Sequence, residues 1–214
     1  MGQAFLEEVL TPAVLAEQEH YYKRRAQVPG AEGPDALTEE EQVFIETRDS
    51  FYIATITESG WPYVQHRGGA RGFLHVVDAG TLAFADYRGN RQMLSTGNLK
   101  ACERVSIILM DYPNRERLKI LGHASVVDAK DAPQLTGRLS TPQPADRAVV
   151  ERIFIIKVLG FDWNCSQFIT PRYTKEEIES AILPLRSAHC AIGSQACSTV
   201  ASSAGCDEIE PPAD

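Results

Sequence analysis

The amino-acid sequence predicts a mainly β fold, in which antiparallel strands form a closed or partly open barrel flanked by helices. Between Phe51 and Phe161 the apolar residues recur with a period of two and are rich in β-branched and aromatic types, which indicates strands. Tight-turn residues separate successive strands, and only one helix is predicted among them. The regular alternation of strands with helices that builds a parallel sheet is therefore missing.

Seven segments are predicted to be strands: Phe51–Thr57, Tyr63–Arg67, Phe73–Val77, Leu82–Ala85, Val105–Asp111, Leu118–Val127 and Ile153–Phe161. The first two are joined by residues 58–60 and the next two by residues 78–80, and both connections end in glycine. Such connections are typical of tight turns, so we expect consecutive antiparallel hairpins. The one intervening helix is predicted near Gln92 to Lys100.

Flanking helices are predicted from their N-terminal caps. Thr11 supplies a capping hydroxyl and Pro12 suits the first helical position, so a helix should run from there to about Arg25. A Thr-x-x-Glu capping box predicts two more helix starts, and it occurs at Thr38 with Glu41 and at Thr174 with Glu177.

The composition indicates an ordinary soluble globular protein. The 214 residues are 43% hydrophobic and 23% charged, with a formal net charge of −8. The acidic balance argues against a nucleic-acid partner, and no apolar run approaches the ~18 residues that span a membrane. The N-terminus lacks the basic start and apolar core of a secretory signal, so we expect a cytoplasmic protein.

The C-terminal segment differs from the rest of the chain. Residues 187–214 contain no Lys, Arg or aromatic residue and consist mostly of Ala, Ser, Gly and Cys. Such a segment cannot bury enough apolar surface to become ordered. We therefore predict one domain over residues 1–186 and a flexible low-complexity tail over residues 187–214. The five cysteines show no metal spacing and imply no disulfide framework.

Most standard catalytic motifs are absent. The sequence has no G-x-S-x-G, no P-loop, no H-E-x-x-H and no C-x-x-C, and its five histidines are spread singly. Nucleophilic hydrolysis and a metal site are therefore not predicted. Two unusual stretches remain, and each has a functional and a purely structural interpretation.

The first stretch covers residues 65–72, where three glycines and two arginines lie between two predicted strands. Glycine there permits a bulge or close approach of the backbone to a ligand. The alternative is a wide glycine-rich hairpin with solvated arginines. The second stretch covers residues 84–92 and leads from a strand end to a helix start. A helix N-terminus beside Arg88 or Arg91 suits a phosphate, whereas the alternative is a solvated loop capped by Asn90.

Taken in order, these segments resemble the pyridoxamine 5′-phosphate oxidase-like flavin proteins, the FMN-binding split barrels. The resemblance runs from about Asp49 to Tyr173. It is carried by residues 51–55, 60–69, 86–92, 97–99, 104–106, 110–114, 162–165 and 169–173.

The resemblance implies FMN as the cofactor, held in a groove between the two subunits of a homodimer. Arg67, Gly68 and Gly69 would lie along the flavin ring, and Ala85 and Asp86 at the ring or ribityl chain. Asn90, Arg91 and Gln92 would hold the phosphate, helped by Arg67 or Arg88 because Gln92 stands where the family has a cation. Trp163 of the second subunit, with Gln167 and Arg172 nearby, would form a wall. Alternatively, Trp163 is a core or interface residue without ligand contact.

The implied function is that of an FMN-dependent oxidoreductase, which transfers electrons or hydride between a small donor such as NAD(P)H and an unidentified acceptor. No catalytic side chain is predicted, because the flavin carries the electrons. The alternative is a non-catalytic module that binds, stores or senses a flavin, a deazaflavin or haem. Pyridoxamine phosphate oxidases carry an Arg-x-His run after the late tryptophan, and residues 169–173 lack it. Efficient oxidation of pyridoxamine phosphate is therefore not expected.

Overall fold

The computed structural model describes residues 2–89, 91–140, 149–163 and 166–183. The chain divides into two compact units, Met1–Thr170 and Pro171–Asp214. The first contains the sheet, and in the second residues 175–183 are helical. No helix in the described part of the chain combines the length and apolarity needed to cross a bilayer. The predicted tail lies outside the described residues.

The first unit contains one antiparallel sheet. Its strands are β1 Ser50–Ile56, β2 Pro62–Gly68, β3 His75–Asp78, β4 Thr81–Tyr87, β5 Arg104–Asp111, β6 Glu116–Asp128 and β7 Val150–Trp163. They are arranged in the order β2-β1-β5-β6-β7-β4-β3, and every neighbouring pair is antiparallel. The predicted mainly β, antiparallel fold is confirmed. The sheet is open rather than closed, because β2 and β3 remain edge strands.

The two predicted hairpin turns are present. Between β1 and β2 the Gly60 amide donates to the Thr57 carbonyl at 2.8 Å, and the Gly60 φ of +85° favours glycine there. Between β3 and β4 the Gly80 amide donates to the Asp78 carboxylate at 2.8 Å. Local side-chain chemistry therefore fixes both connections.

The described residues contain six α-helices: α1 Gln3–Val9, α2 Pro12–Tyr22, α3 Glu39–Glu46, α4 Leu94–Ala101, α5 Pro133–Leu139 and α6, residues 175–183. The prediction of a single helix among the strands is wrong, because α5 and a 3-10 turn lie between β6 and β7. The residue before α5 is Ala132, which has no capping side chain, so no cap signal marked this helix. The helix predicted to reach Arg25 ends earlier, where Lys23 turns left-handed at φ +55°.

Two apolar clusters hold the sheet together. The larger fills the inside of the curled sheet, where Phe51 stacks on Phe73 and Phe84 stacks on Phe154 at centroid distances of 5.4 and 4.8 Å. The smaller lies on the other face, where Leu139 of α5 packs with Ala83, Ala85 and Ile153. Strand β4 is therefore buried on both faces from Thr81 to Asp86.

Helix α3 is fixed by its buried capping residue, Glu41. Its Oε2 accepts from the Thr38 amide and hydroxyl at 2.9 and 2.6 Å, and its Oε1 accepts from Trp163 Nε1 at 2.6 Å. Burial opposes ionisation, but these hydrogen bonds outweigh it and hold the pKa of Glu41 below its ordinary value. The predicted capping box is confirmed here and also at Thr174 with Glu177.

Candidate functional site

A largely buried ion triad joins edge strand β2 to the paired strands β4 and β7, with which β2 shares no backbone pairing. Arg67 Nη1 on β2 donates to Asp86 Oδ1 on β4 at 2.8 Å. Arg152 on β7 donates from Nε and Nη2 to Asp86 Oδ2, both at 2.8 Å. The Arg67 guanidinium also lies 5.5 and 5.2 Å from the ring centroids of Phe84 and Phe154. This Arg67–Asp86–Arg152 triad bridges the open side of the sheet.

Two cavities flank the triad. Cavity A has a volume of about 220 Å³ and cavity B about 240 Å³, and Arg67, Asp86 and Tyr87 line both. Each is smaller than the roughly 300–1,000 Å³ of a typical small-molecule site. They share one wall, formed by Arg67, Asp86 and Tyr87, and the two cavities together are called the groove below.

Cavity A is rich in positive charge. Three arginines, Arg67, Arg91 and Arg152, line it with one carboxylate, Asp86. Arg91 has no ion-pair partner within the described residues, whereas the other two arginines are bound to Asp86. The surplus of cations favours an anionic ligand, and Arg91 is the guanidinium that remains available for a bidentate contact.

The N-terminus of α4 also faces cavity A, through residues 93–96. No side chain of the described residues caps this end, so the first-turn N–H groups and the positive end of the helix dipole add to the anion-binding character. The helix is held in place because Ser95 Oγ donates to Gln65 Oε1 at 2.7 Å and Asn98 Nδ2 donates to Thr55 Oγ1 at 2.9 Å.

The loop that leads into α4 contains two left-handed residues that are not glycine. Arg91 has φ +60° and Met93 has φ +58°. Such conformations cost free energy and concentrate at ligand-binding and catalytic sites. The strain therefore falls on the segment that carries the available arginine.

Cavity B is lined by Gly68, Gly69 and Ala85 beside the aromatic rings of Phe73 and Phe84. A Cβ on Gly69 would lie 2.7 Å from Phe73 Cγ, so the packing of Phe73 already requires glycine at this position. The same glycine leaves the backbone bare along one wall of the cavity. The lining of cavity B contains fewer charged residues than the lining of cavity A.

The structure brings most of the predicted site residues together. Seven of them line the groove: Arg67, Gly68, Gly69, Ala85, Asp86, Arg91 and Gln92. Arg88 lines neither cavity, because its Nε donates to Glu151 at 3.0 Å. Asn90 lies outside the described residues. Gln167 and Arg172 are exposed, and Arg172 belongs to the second unit. Ligand contact remains a prediction for all of them.

Trp163 lies apart from the groove. Its indole N–H donates to Glu41, and its ring packs edge-on against Phe44 at a centroid distance of 4.7 Å. It lines a different cavity, of about 560 Å³, beside α3. Within one chain it reaches neither cavity A nor cavity B, so its predicted role in the site requires a second subunit.

Several lining residues were not predicted as site residues, among them Gln65, Ser95 and Arg152. Ser95 stands in the first turn of the predicted intervening helix, a position that could have suggested it. Arg152 has no local signal, since only the pairing of β4 with β7 sets it opposite Asp86. Nowhere in the described part of the chain do three or more His, Cys, Asp or Glu side chains converge in a group that could hold a metal ion.

Several solved structures are similar to this chain over part of its length. HupZ from Group A Streptococcus is 15% identical, with a TM-score of 0.46 over 64% of this chain and 99% of that one. An FMN-binding protein from Syntrophomonas wolfei is 11% identical, with a TM-score of 0.44 over 58% and 82%. A Clostridium acetobutylicum protein of the pyridoxinephosphate oxidase family, related to general stress protein 26, is 12% identical, with a TM-score of 0.40 over 58% and 85%.

A search of the curated proteins found no match. Residues 37–153, more than half of the chain, match the family model for pyridoxamine 5′-phosphate oxidase. The matched segment contains both stretches that line the groove. The chain therefore belongs to the pyridoxamine 5′-phosphate oxidase family, as its motifs predict.

Proposed function

We propose that this protein binds FMN in the groove formed by cavities A and B and acts as an FMN-dependent oxidoreductase. It would pass electrons between a small donor such as NAD(P)H and an acceptor. The observation that carries the proposal is the junction of Arg91, the uncapped N-terminus of α4 and the ion triad in cavity A. Membership of the pyridoxamine 5′-phosphate oxidase family supports a flavin as the ligand.

The residues present fit FMN. A terminal phosphate needs cationic and N–H donors, and cavity A supplies Arg91 with the first-turn amides of α4. The flat apolar ring system needs close approach to the backbone, which Gly68 and Gly69 permit beside cavity B. In addition, the buried Arg67 Nε has no hydrogen-bond partner among the described residues, which leaves this N–H as a donor for an acceptor on the ligand.

The chain's own residues would bind and orient the ligand. Arg91 would hold the phosphate, and Asp86 keeps Arg67 fixed between the two cavities. Bound flavin would supply the redox chemistry, because it accepts and releases electrons without help from a protein nucleophile. The protein would contribute orientation, charge and exclusion of water.

The groove is small and open in a single chain, which supports the predicted homodimer. Cavities of 220 and 240 Å³ leave much of an FMN-sized ligand uncovered. A second copy of the chain would cover the exposed side and complete the site. Loss of the dimer is therefore expected to release the flavin.

The test begins with the visible absorption spectrum of the purified protein, followed by titration of the apoprotein with FMN and with FAD. A higher affinity for FMN than for FAD would support a site for a terminal phosphate. Anaerobic addition of NADH or NADPH then distinguishes the two functions. Bleaching of the flavin bands supports the oxidoreductase, whereas bound flavin that resists both donors supports the binding or storage module.

Light scattering of the same samples measures the oligomeric state. We expect a dimer at stoichiometric flavin occupancy. A monomer that retains one FMN per chain would contradict the shared site, and failure of the apoprotein to bind either flavin would overturn the proposal as a whole.

A further inference from the structure

Helix α2 is exposed along most of its length, with Leu15 and Gln18 half-buried. None of its 11 residues is buried, and Tyr21 and Tyr22 are 71% and 73% exposed. In the described part of the chain, every side-chain hydrogen bond and ion pair of residues 11–26 is made within that segment. The helix therefore buries none of its residues fully and has little packing on the rest of the described chain to stabilise it.

A helix of this kind is not stable by itself. Isolated helices shorter than about 12–15 residues are marginal in water even when their sequences favour helix, and most helices in proteins are stabilised by packing of one face. Thr11 and Pro12 provide a good start, but a cap adds only about 1 kcal/mol. A surface that covers α2 is needed to account for it.

The chemistry of the exposed end is aromatic and basic. Tyr21 and Tyr22 are followed by Lys23, Arg24 and Arg25 in a chain whose net charge is −8. Arg25 pairs with Glu19 at 3.6 Å, whereas Arg24 has no partner within the described residues. The surface that covers this end should offer apolar area with carboxylates beside it.

One groove of the same chain has that chemistry. The cavity of about 560 Å³ beside α3, here called the α3 groove, has Val43, Phe44 and Trp163 along its wall, and Val43 is 56% exposed. Four carboxylates line it. Asp111 is paired with Arg48, which also lines the groove, whereas Glu39, Glu40 and Glu116 have no ion-pair partner within the described residues. It is lined by other residues than cavities A and B.

We infer that α2 of one chain docks in the α3 groove of a second copy, with Tyr21 and Tyr22 on the apolar wall and Lys23 and Arg24 beside Glu39 and Glu40. Two-fold symmetry would repeat the contact, so that each chain both gives and receives a helix. Four tyrosines bury roughly 150–250 Å² each, a substantial part of the 1,200–2,000 Å² of a stable interface. The contact uses no residue that lines cavity A or cavity B, and it shares with the proposed function the expectation of a homodimer.

The test is hydrogen exchange of the α2 backbone amides in the full-length protein at several concentrations, with light scattering on the same samples. In the dimer we expect residues 15–22 to exchange at least about tenfold more slowly than in the diluted monomer, where the uncovered helix is marginal. The double variant Glu39→Lys/Glu40→Lys should lose this protection at the concentration where the wild type shows it.

A charge swap separates docking from simple damage to α3. Combining Glu39→Lys/Glu40→Lys with Lys23→Glu/Arg24→Glu should restore the protection, because the opposite charges meet again. Glu58→Lys, which changes an exposed carboxylate in the β1–β2 turn, is the matched control and should change nothing.

Three results would overturn the inference. Unprotected amides at every concentration would show that nothing covers α2. Protection that persists in the monomer would place the covering surface within the same chain. Concentration-dependent protection that is unchanged in the Glu39→Lys/Glu40→Lys variant would place α2 on a different surface. Light scattering identifies the variants that remain dimers, and FMN titration of those variants should match the wild type, so failure here is distinguishable from failure of the flavin proposal.

Discussion

Single side chains determine how much positive charge the groove offers a ligand. Arg67 was predicted to lie along the flavin ring, and the structure shows that its guanidinium is already bound to Asp86. Arg152 is bound to the same carboxylate. Arg91 is therefore the arginine of cavity A with charge to spare, and its removal should weaken an anionic ligand most.

We expect Arg91→Ala to weaken FMN binding about 10–100-fold, because a charge-assisted contact of roughly 1.5–3 kcal/mol is lost. Fluorescence titration of the apoprotein measures the effect. Arg88→Ala is the matched control, since Arg88 pairs with Glu151 and lines neither cavity, and it should change the affinity little. Equal affinities for Arg91→Ala and the wild type would locate the phosphate elsewhere.

Asp86 should matter more for stability than a typical acidic residue. Replacing it with Asn leaves Arg67 and Arg152 largely buried without their shared carboxylate, and loss of one member of a buried ion pair costs about 3 kcal/mol. Urea unfolding of the apoprotein measures the loss. Asp128→Asn removes an exposed ion pair with Lys130 and should have little effect. If both variants unfold alike, the triad does not stabilise the fold.

At the level of helices and strands, the positions of α3 and α4 against the sheet are fixed by a few of their own side chains. Helix α4 is held on the sheet by Ser95 and Asn98, and this anchoring aims its N-terminus at cavity A. Helix α3 depends on Glu41, which caps the helix and also accepts a hydrogen bond from Trp163 at the end of β7. One buried carboxylate thus ties a helix to the sheet.

The Glu41 carboxylate should make stability depend on pH. Its folded pKa is lowered, so its contribution is complete above the unfolded value of about 4.3 and disappears as the pH falls through the folded value. Glu41→Gln should cost about 1–2 kcal/mol at pH 7, a difference that should shrink in acid. Urea unfolding from pH 7 to pH 3 tests this. Glu40→Gln, exposed on the same helix, is the control, and a pH-independent difference for Glu41→Gln would argue against an ionised cap.

For the molecule as a whole, membership of the family does not fix the substrate. The family model ends at residue 153, before the segment in which pyridoxamine phosphate oxidases carry their Arg-x-His run. Here Thr170, Pro171, Arg172 and Tyr173 are exposed, and none is histidine. Arg172 alone would have to orient the phosphate of the substrate.

We therefore expect the FMN-loaded protein to form pyridoxal phosphate from pyridoxamine phosphate far more slowly than the ~1 s⁻¹ at the low end of typical enzymes. The assay follows product formation under oxygen. Reduction of the same preparation by dithionite and its reoxidation in air provide the control for an intact flavin. Turnover of about 1–10 s⁻¹ would contradict the expectation and make the missing histidine irrelevant.

Local patterns in the sequence determined the elements of this protein. Period-two apolar alternation located all seven strands, glycine turns located two hairpins, and Thr-x-x-Glu boxes located α3 and α6, because each of these signals acts over a few neighbouring residues. Helix α5 was missed for the same reason, since it is stabilised by burying Leu139 on β4 and β7 rather than by a cap.

The motifs also predicted the family and seven of the residues that line the groove. What only the tertiary structure decided is how the charges are shared. Arg67, Asp86 and Arg152 lie far apart in sequence and meet through the curl of the sheet and the register of β4 with β7. That meeting occupies two of the three arginines of cavity A and leaves Arg91 available, because the partner of a charge is set by distance in space and not by spacing along the chain.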